Sequence, residues 1–401
     1  MLEKIKEARE RLENVAVHTP FSYSVLLSEA NSFEVYLKKE NLQLTGAFKL
    51  RGAFNKIATL SEEERKGGVV AASAGNHAQG VAYSARHFGI NSTIVMPENT
   101  PLTKVNGVKS YGSTVVLHGA NYDEAYEYAI NISKENDLIF VHPFEDEEVI
   151  AGQGTIALEM LEEIEDLDAV VVPVGGGGLI SGMAKAFKEI KPDIKVIGVS
   201  ALGAPALKHA YDAKEVVAPV DVKTIADGIA VRNASNITLS HMLDSVDDVI
   251  TVDDEEIASA ILLLLEKQKL VVEGAGAVGV AALMHSKIQS ETFKKVGVVL
   301  SGGNIDVTML SVIIEKGLIK SSRKMKLIVT LIDKPGSLTG LSQLLASAHA
   351  NIVHIGYDRT STALEYGDAH VTVHLETKGV EHQDEIRKVL QKNGYIYEQI
   401  R

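Results

Sequence analysis

The sequence predicts an α/β protein: a long parallel-sheet body with helices on both faces, then a small ferredoxin-like βαββαβ domain. Three observations carry that prediction. Short β-branched runs alternate with helix-length segments through residues 1–320. Glycine-rich or small polar stretches follow three of those runs, and open parallel sheets bind ligands beyond the carboxyl ends of their strands. After a polar "KSSRK" at 320–324 the order of elements changes. With 401 residues, the chain is also longer than one core usually grows.

The strand-like runs are 33–40, 67–74, 91–97, 113–119, 138–143, 169–175, 195–200 and 295–303. Each is short, apolar and rich in valine or isoleucine, as in strands covered on both sides. Between them the spacing predicts helices over 75–88, 121–136, 154–165, 179–190, 253–268 and 274–287. The leucine-rich run at 257–267 follows the acidic start "DDEE" and reads as a buried helix, too short to span a membrane. Past the linker come a strand (325–333), a helix (337–349), two strands (351–360 and 366–376), a helix (380–393) and a last strand (395–400).

Composition narrows the partners. Fifty-three acidic residues against 40 basic give a net charge of −13, which disfavours nucleic acid and anionic membranes as general partners. An anionic ligand must then be held by local devices. The absence of cysteine excludes disulfides, thiol nucleophiles and thiolate metal sites, and it fits a cytoplasmic setting. The opening "MLEKIKEARERLENV" reads as a charged amphipathic helix rather than a signal peptide.

Four pieces could carry chemistry. "GGGGLISG" (175–182) follows a strand and opens a helix, so bare backbone N–H groups and a helix N-terminus could cradle a phosphate. No Lys-Ser/Thr follows, so it is not a nucleotide P-loop. "SAGNHAQG" (73–80) could hold a carboxylate at another helix start, although alone it reads as an ordinary cap with Asn76 and His77 on a solvated turn. "LSGGNID" (300–306) could aim the Ser301 hydroxyl into the same crevice, or be a plain serine turn. In "QLTGAFKLRG" (43–52), Lys49 opens an amphipathic helix between Phe48 and Leu50. Burial lowers a lysine's pKa and frees its amine to attack carbonyls. An amine nucleophile, a phosphate cradle and a second anion site together point to pyridoxal phosphate.

Taken in chain order, from Lys49 through 73–80 and 175–182 to 300–306, those four motifs resemble the pyridoxal-phosphate enzymes of the tryptophan-synthase-β fold, and most of all the threonine dehydratases (threonine ammonia-lyases). Residues 325–401, with "DKPGSL", resemble an ACT regulatory domain. The resemblance implies a catalytic domain over 1–320, with a large subdomain from 1–52 and 151–320 and a smaller mobile one over about 53–150. It implies that Lys49 anchors the cofactor covalently and takes the substrate's Cα proton. Phe48 would pack on the pyridine ring, Asn76 would bond its hydroxyl, and Ser301 would face its nitrogen. Gly175, Gly176, Gly177, Gly178 and Leu179 would bind the phosphate, and Gly228 in "ADGIAV" would line the other ring face. Ser73, Ala74, Gly75, Asn76 and His77 would hold the substrate carboxylate.

The implied reaction is β-elimination from L-threonine to 2-oxobutanoate and ammonia, and from L-serine to pyruvate, in isoleucine biosynthesis or threonine catabolism. A neutral serine at the ring nitrogen would favour elimination over transamination. Serine racemases carry a serine where this chain has Ala74, which argues against that alternative. Other β-replacing enzymes of the fold and a non-catalytic amino-acid sensor are the further alternatives. No carboxylate follows the strand before residue 200 until Asp212, so no metal site is expected there. An amino-acid effector would sit at Asp333, Pro335, Gly336, Leu338, Asn351 and Ile352, where two ACT-like domains of a homo-oligomer, a dimer or tetramer, would pair.

Overall fold

Three sheets organise residues 1–400, the residues that the computed structural model describes. The strands are β1 Phe21–Tyr23, β2 Glu34–Lys38, β3 Val69–Ala72, β4 Ser92–Met96, β5 Thr114–Leu117, β6 Ile139–Phe140 and β7 Ala169–Pro173. They continue as β8 Lys195–Ala201, β9 Asp248–Val252, β10 Lys295–Val299, β11 Lys324–Ile332, β12 Asn351–Asp358, β13 Asp368–Glu376 and β14 Ile396–Ile400. The first sheet runs β1-β2-β10-β7-β8-β9 and is parallel except where β1 pairs antiparallel with β2. The second runs β5-β4-β3-β6 and is wholly parallel. The third runs β12-β13-β11-β14 and is wholly antiparallel.

Strands β3 and β7 are buried at every position, which explains their unbroken apolar sequence. In the C-terminal sheet β11 and β13 alternate instead: Met325, Leu327, Val329, Val371, Val373 and Leu375 face the core made with Leu341, Leu345, Ile386 and Leu390.

Contacts divide the chain into Met1–Ile305 and Asp306–Arg401. The helix Val307–Lys320 therefore groups with the C-terminal unit, ahead of the polar linker that marked the boundary in the sequence. Asp306 caps it through the N–H of Thr308 (2.7 Å), and Glu315 pairs with Lys324 and Lys326 of β11 (2.5 and 3.6 Å).

Three helices depart from their expected bounds, and the shortest departure is that of the one expected over 274–287, which ends at Met284. The one expected over 154–165 begins at Glu147, because the Asp146 carboxylate accepts from the N–H groups of Glu148 and Val149 (2.8 and 3.2 Å). The one expected over 253–268 ends as an α-helix at Leu263 and passes into a π-turn over Leu264–Gln268. Among the described residues no helix is long and apolar enough to cross a membrane.

Candidate active site

Each parallel sheet has one place where the chain reverses its order of laying down strands. In the small sheet β4 and β5 extend one way from β3 and β6 the other; in the large sheet β8 and β9 extend one way from β7 and β10 the other. Loops leaving the carboxyl ends at such a point diverge and open a crevice. The four loops concerned start at Ser73, Val141, Val174 and Leu300. Three of the sequence motifs lie on them, and the fourth, around Lys49, is tied to them.

The ties form a closed ring. Phe48 N–H donates to Ser301 C=O (3.0 Å), and Ala47 bridges Gly302. Lys49 Nζ donates to Pro143 C=O (2.7 Å). The next residue, Phe144, lies against Gly176 and Gly178, so closely that any side chain at Gly176 would strike its ring. A Cβ at Gly175 would come within 2.7 Å of Ile229. Beside Ile229, a Cβ added at Gly228 would lie 3.9 Å from Asn76 Nδ2. Asn76 Oδ1 accepts from Asn304 Nδ2 (2.8 Å), and Asn304 returns to the start by donating to Thr45 C=O (2.8 Å). Gly46, at φ +74, presses on Asn304, where an added Cβ would sit 2.5 Å from Oδ1; this position needs glycine on both counts.

The groups on that ring fit a phosphorylated pyridine aldehyde. Burial holds the Lys49 amine down at about 8, so it is readily freed of its proton. The helix Gly178–Ile190 starts with Gly177 at φ +86, and its first bonded turn closes only where Ser181 N–H meets Gly177 C=O. The N–H groups before Ser181 are therefore without intrahelical partners. They stand at the positive end of the helix dipole, with no side chains on residues 175–178 to shield them. Ser301 is 2% exposed, so its hydroxyl lies in the interior.

Some expected residues behave differently. His77 is buried rather than solvated, with Nε2–H donating to Val141 C=O (2.8 Å) and Nδ1 without a partner. Burial, with help from the Lys49 charge, keeps it neutral down to about pH 3. Its side chain is thus tied to the start of the loop after β6, while its N–H remains at the helix start. Ser73 Oγ accepts from Gly75 N–H (3.2 Å), which shapes the loop.

Two features were not legible. The segment after β6, His142–Pro143–Phe144, carries no motif, yet it receives Lys49 and backs the glycine turn. His142 Nδ1 accepts from Phe144 and Glu145 N–H (3.2 and 2.8 Å), which fixes that segment. Glu273 is the other: 3% exposed, it accepts from Asn76 Nδ2 (2.6 Å). An acid immediately before "GAGAVGVAALM" reads as an ordinary helix-start residue.

In the C-terminal unit the expected effector residues fall into two groups. Asp333, Pro335, Gly336 and Leu338 lie before and within the start of the helix Ser337–Ser347. Asp333 accepts from Tyr357 Oη (2.8 Å) and faces Arg359 (3.5 Å). Asn351 and Ile352 open β12, six residues from Tyr357, which is roughly 20 Å along a strand. One chain does not bring the two groups together.

Comparison with known proteins gives the family of the chain. Residues 13–302 match the family model described as pyridoxal-phosphate dependent enzyme. An L-threonine ammonia-lyase of Thermotoga maritima is 50% identical over 394 residues, spanning 98% of each chain. The solved processed form of threonine deaminase isoform 2 from Solanum lycopersicum superposes with a TM-score of 0.74 at 36% identity, covering 78% of this chain and 86% of that one. Maize serine racemase superposes with a TM-score of 0.75, also at 36% identity, covering 80% of this chain and 98% of that one.

Proposed function

The chain belongs to the pyridoxal-phosphate dependent enzymes, and from that membership we propose that it is an L-threonine ammonia-lyase. It converts L-threonine to 2-oxobutanoate and ammonia, and L-serine to pyruvate by the same route. The observation that carries the reading is the Lys49 amine, held at about 8 by burial on the ring that also carries the bare glycine turn.

When bound, pyridoxal phosphate supplies an aldehyde that condenses with amines and a ring that draws electron density from the substrate's Cα. Lys49 would hold it through its amine, and the backbone N–H groups of Gly175 to Leu179 would hold its phosphate. Phe48 would pack beside its ring, Asn76 would offer an N–H to the ring oxygen, and Ser301 would face the ring nitrogen. The helix start at Asn76 and His77 orients the substrate carboxylate. Once the substrate's amine has displaced it, Lys49 Nζ takes the proton from the substrate's Cα, and the β-hydroxyl leaves as water with a proton that Lys49 supplies. The released enamine takes up water and yields the 2-oxoacid and ammonia. Racemisation needs a second acid–base group opposite Lys49, and Ala74 supplies none.

The C-terminal unit serves as an ACT-like amino-acid-binding domain, for which its βαββαβ order is the support.

The test is direct. Cofactor-loaded protein and L-threonine should give 2-oxobutanoate, L-serine should give pyruvate without D-serine, and Lys49→Ala should lose at least about a thousandfold in kcat. A protein that binds the cofactor but releases no 2-oxoacid from either substrate would sink the assignment.

A further inference from the structure

Glu273 occupies the N-cap position of the helix Gly274–Met284, yet its side chain makes no capping bond. Its backbone is pinned by Glu273 N–H on Gly302 C=O (3.0 Å). The carboxyl instead enters the site, where Oε1 accepts from Asn76 Nδ2 (2.6 Å). Two glycines make room for it. A side chain at Gly302 would collide with Oε1, and a Cβ at Gly228 would come within 3.3 Å of it. The carboxyl is a built part of the crevice rather than a stray helix-start acid.

The bonds around Asn76 leave little freedom. Asn304 Nδ2 donates to both Thr45 C=O and Asn76 Oδ1, so the oxygen of Asn76 must face Asn304. Its nitrogen must then face Glu273. One N–H of Asn76 is engaged by Glu273. The second N–H is what Asn76 has left for a ligand, and it can only donate.

We propose that Glu273 is a positioning residue that acts through Asn76 to set the protonation of the ring hydroxyl of bound pyridoxal phosphate. The inference rests on the cofactor site proposed above. A donor-only Asn76 favours the ring oxygen as an anion, whereas a charged carboxyl behind the same amide opposes that anion.

The charged groups around Glu273 make it able to change state near neutral pH. Burial raises it first, and Asp227 on the turn Asp227–Ile229 raises it further; Asn76, Lys104 and the Asn304 N–H pull the other way, leaving it at about 7. Lys104, on the helix Leu102–Lys109, pairs with Asp227 (2.8 Å). The helix that Glu273 caps is glycine, alanine, valine, leucine and methionine throughout and adds no titratable group.

The experiment is a spectroscopic pH titration of the cofactor-loaded protein between about pH 5 and 10, comparing wild type with Glu273→Gln and Glu273→Asp. Glu273→Gln keeps an acceptor for Asn76 and removes the charge. Its visible-band midpoint should fall by about one pH unit or more. Glu273→Asp, which keeps the charge on a shorter arm, should move the midpoint by less, and it serves alone should the glutamine variant fail to fold. Midpoints equal to wild type in the variants that load cofactor would overturn the role of Glu273 while leaving the cofactor site standing. A wild-type protein that takes up no cofactor would overturn both.

Discussion

At the scale of single residues, the crevice is a set of buried polar groups whose states burial decides. His77 shows this most simply. In the unfolded chain it takes a proton near pH 6.5, but in the fold burial delays that to about pH 3. Between those values the unfolded state binds more protons, so stability is intact above pH 6.5 and falls as pH falls towards 3. The slope for one such group approaches about 1.4 kcal/mol per pH unit. His77→Gln keeps an N–H for Val141 C=O and removes the titration. Urea midpoints of the cofactor-free protein should therefore fall less between pH 7 and about pH 5 in the variant than in wild type. Equal losses would mean that other groups dominate the acid limb. The reading of Lys49, Asn76 and the four glycines as one site came from motif order, which survives in one dimension. Glu273 and Pro143 did not emerge because their roles rest on contacts across 197 and 94 positions of sequence.

At the scale of elements, most strands were legible because burial on both faces writes itself as an apolar run. The helix Glu147–Glu163 was half missed for a physical reason. Its first half carries Gly152 and Gly154, which lower helix propensity. The fold accepts that cost because the helix Lys49–Thr59 crosses there at backbone distance. A Cβ at Gly152 would sit 2.5 Å from Arg51 C=O, and one at Gly52 would meet Val149 C=O at 2.6 Å. Behind this crossing Arg51, buried, bonds Glu40 (2.9 Å) and Glu159 (2.6 Å), and Lys38 bonds Glu159 (2.5 Å). Two cations and two anions are thus enclosed together, and losing one would strand another. The helix that presents Lys49 is therefore held by this close crossing and by buried Arg51 as well as by its apolar face of Leu50, Ala53, Phe54 and Ile57. Gly152→Ala must push the two helices apart. It should lower stability by about 1–3 kcal/mol by overpacking, read as a fall in the urea midpoint. It should also lower kcat for threonine, because the shift reaches Lys49 within one turn. A variant as stable and active as wild type would show that the crossing has slack.

At the scale of the whole molecule, two sheets place their switch points so that four loops share one crevice, while the third sheet has a core of its own. Leu327, Val329, Val371, Val373, Leu375, Ile386 and Leu390 are fully buried within residues of the C-terminal unit. The matched family region ends at residue 302, three residues before the division at Ile305. These facts argue that the catalytic chemistry needs only the first unit, and that the second folds by itself. Where the second begins is a sharper question. The polar "KSSRK" suggests a start after residue 320, but Glu315 is bonded to Lys324 and Lys326, and Ile313 is buried in the preceding helix. A fragment of residues 306–401 should therefore fold cooperatively and melt at a higher temperature than a fragment of 322–401, by several degrees if the helix contributes about 1 kcal/mol. Residues 1–305, loaded with cofactor, should keep turning over threonine. Equal melting of the two C-terminal fragments would return the boundary to the linker, and loss of turnover in 1–305 would show that the second unit completes the first.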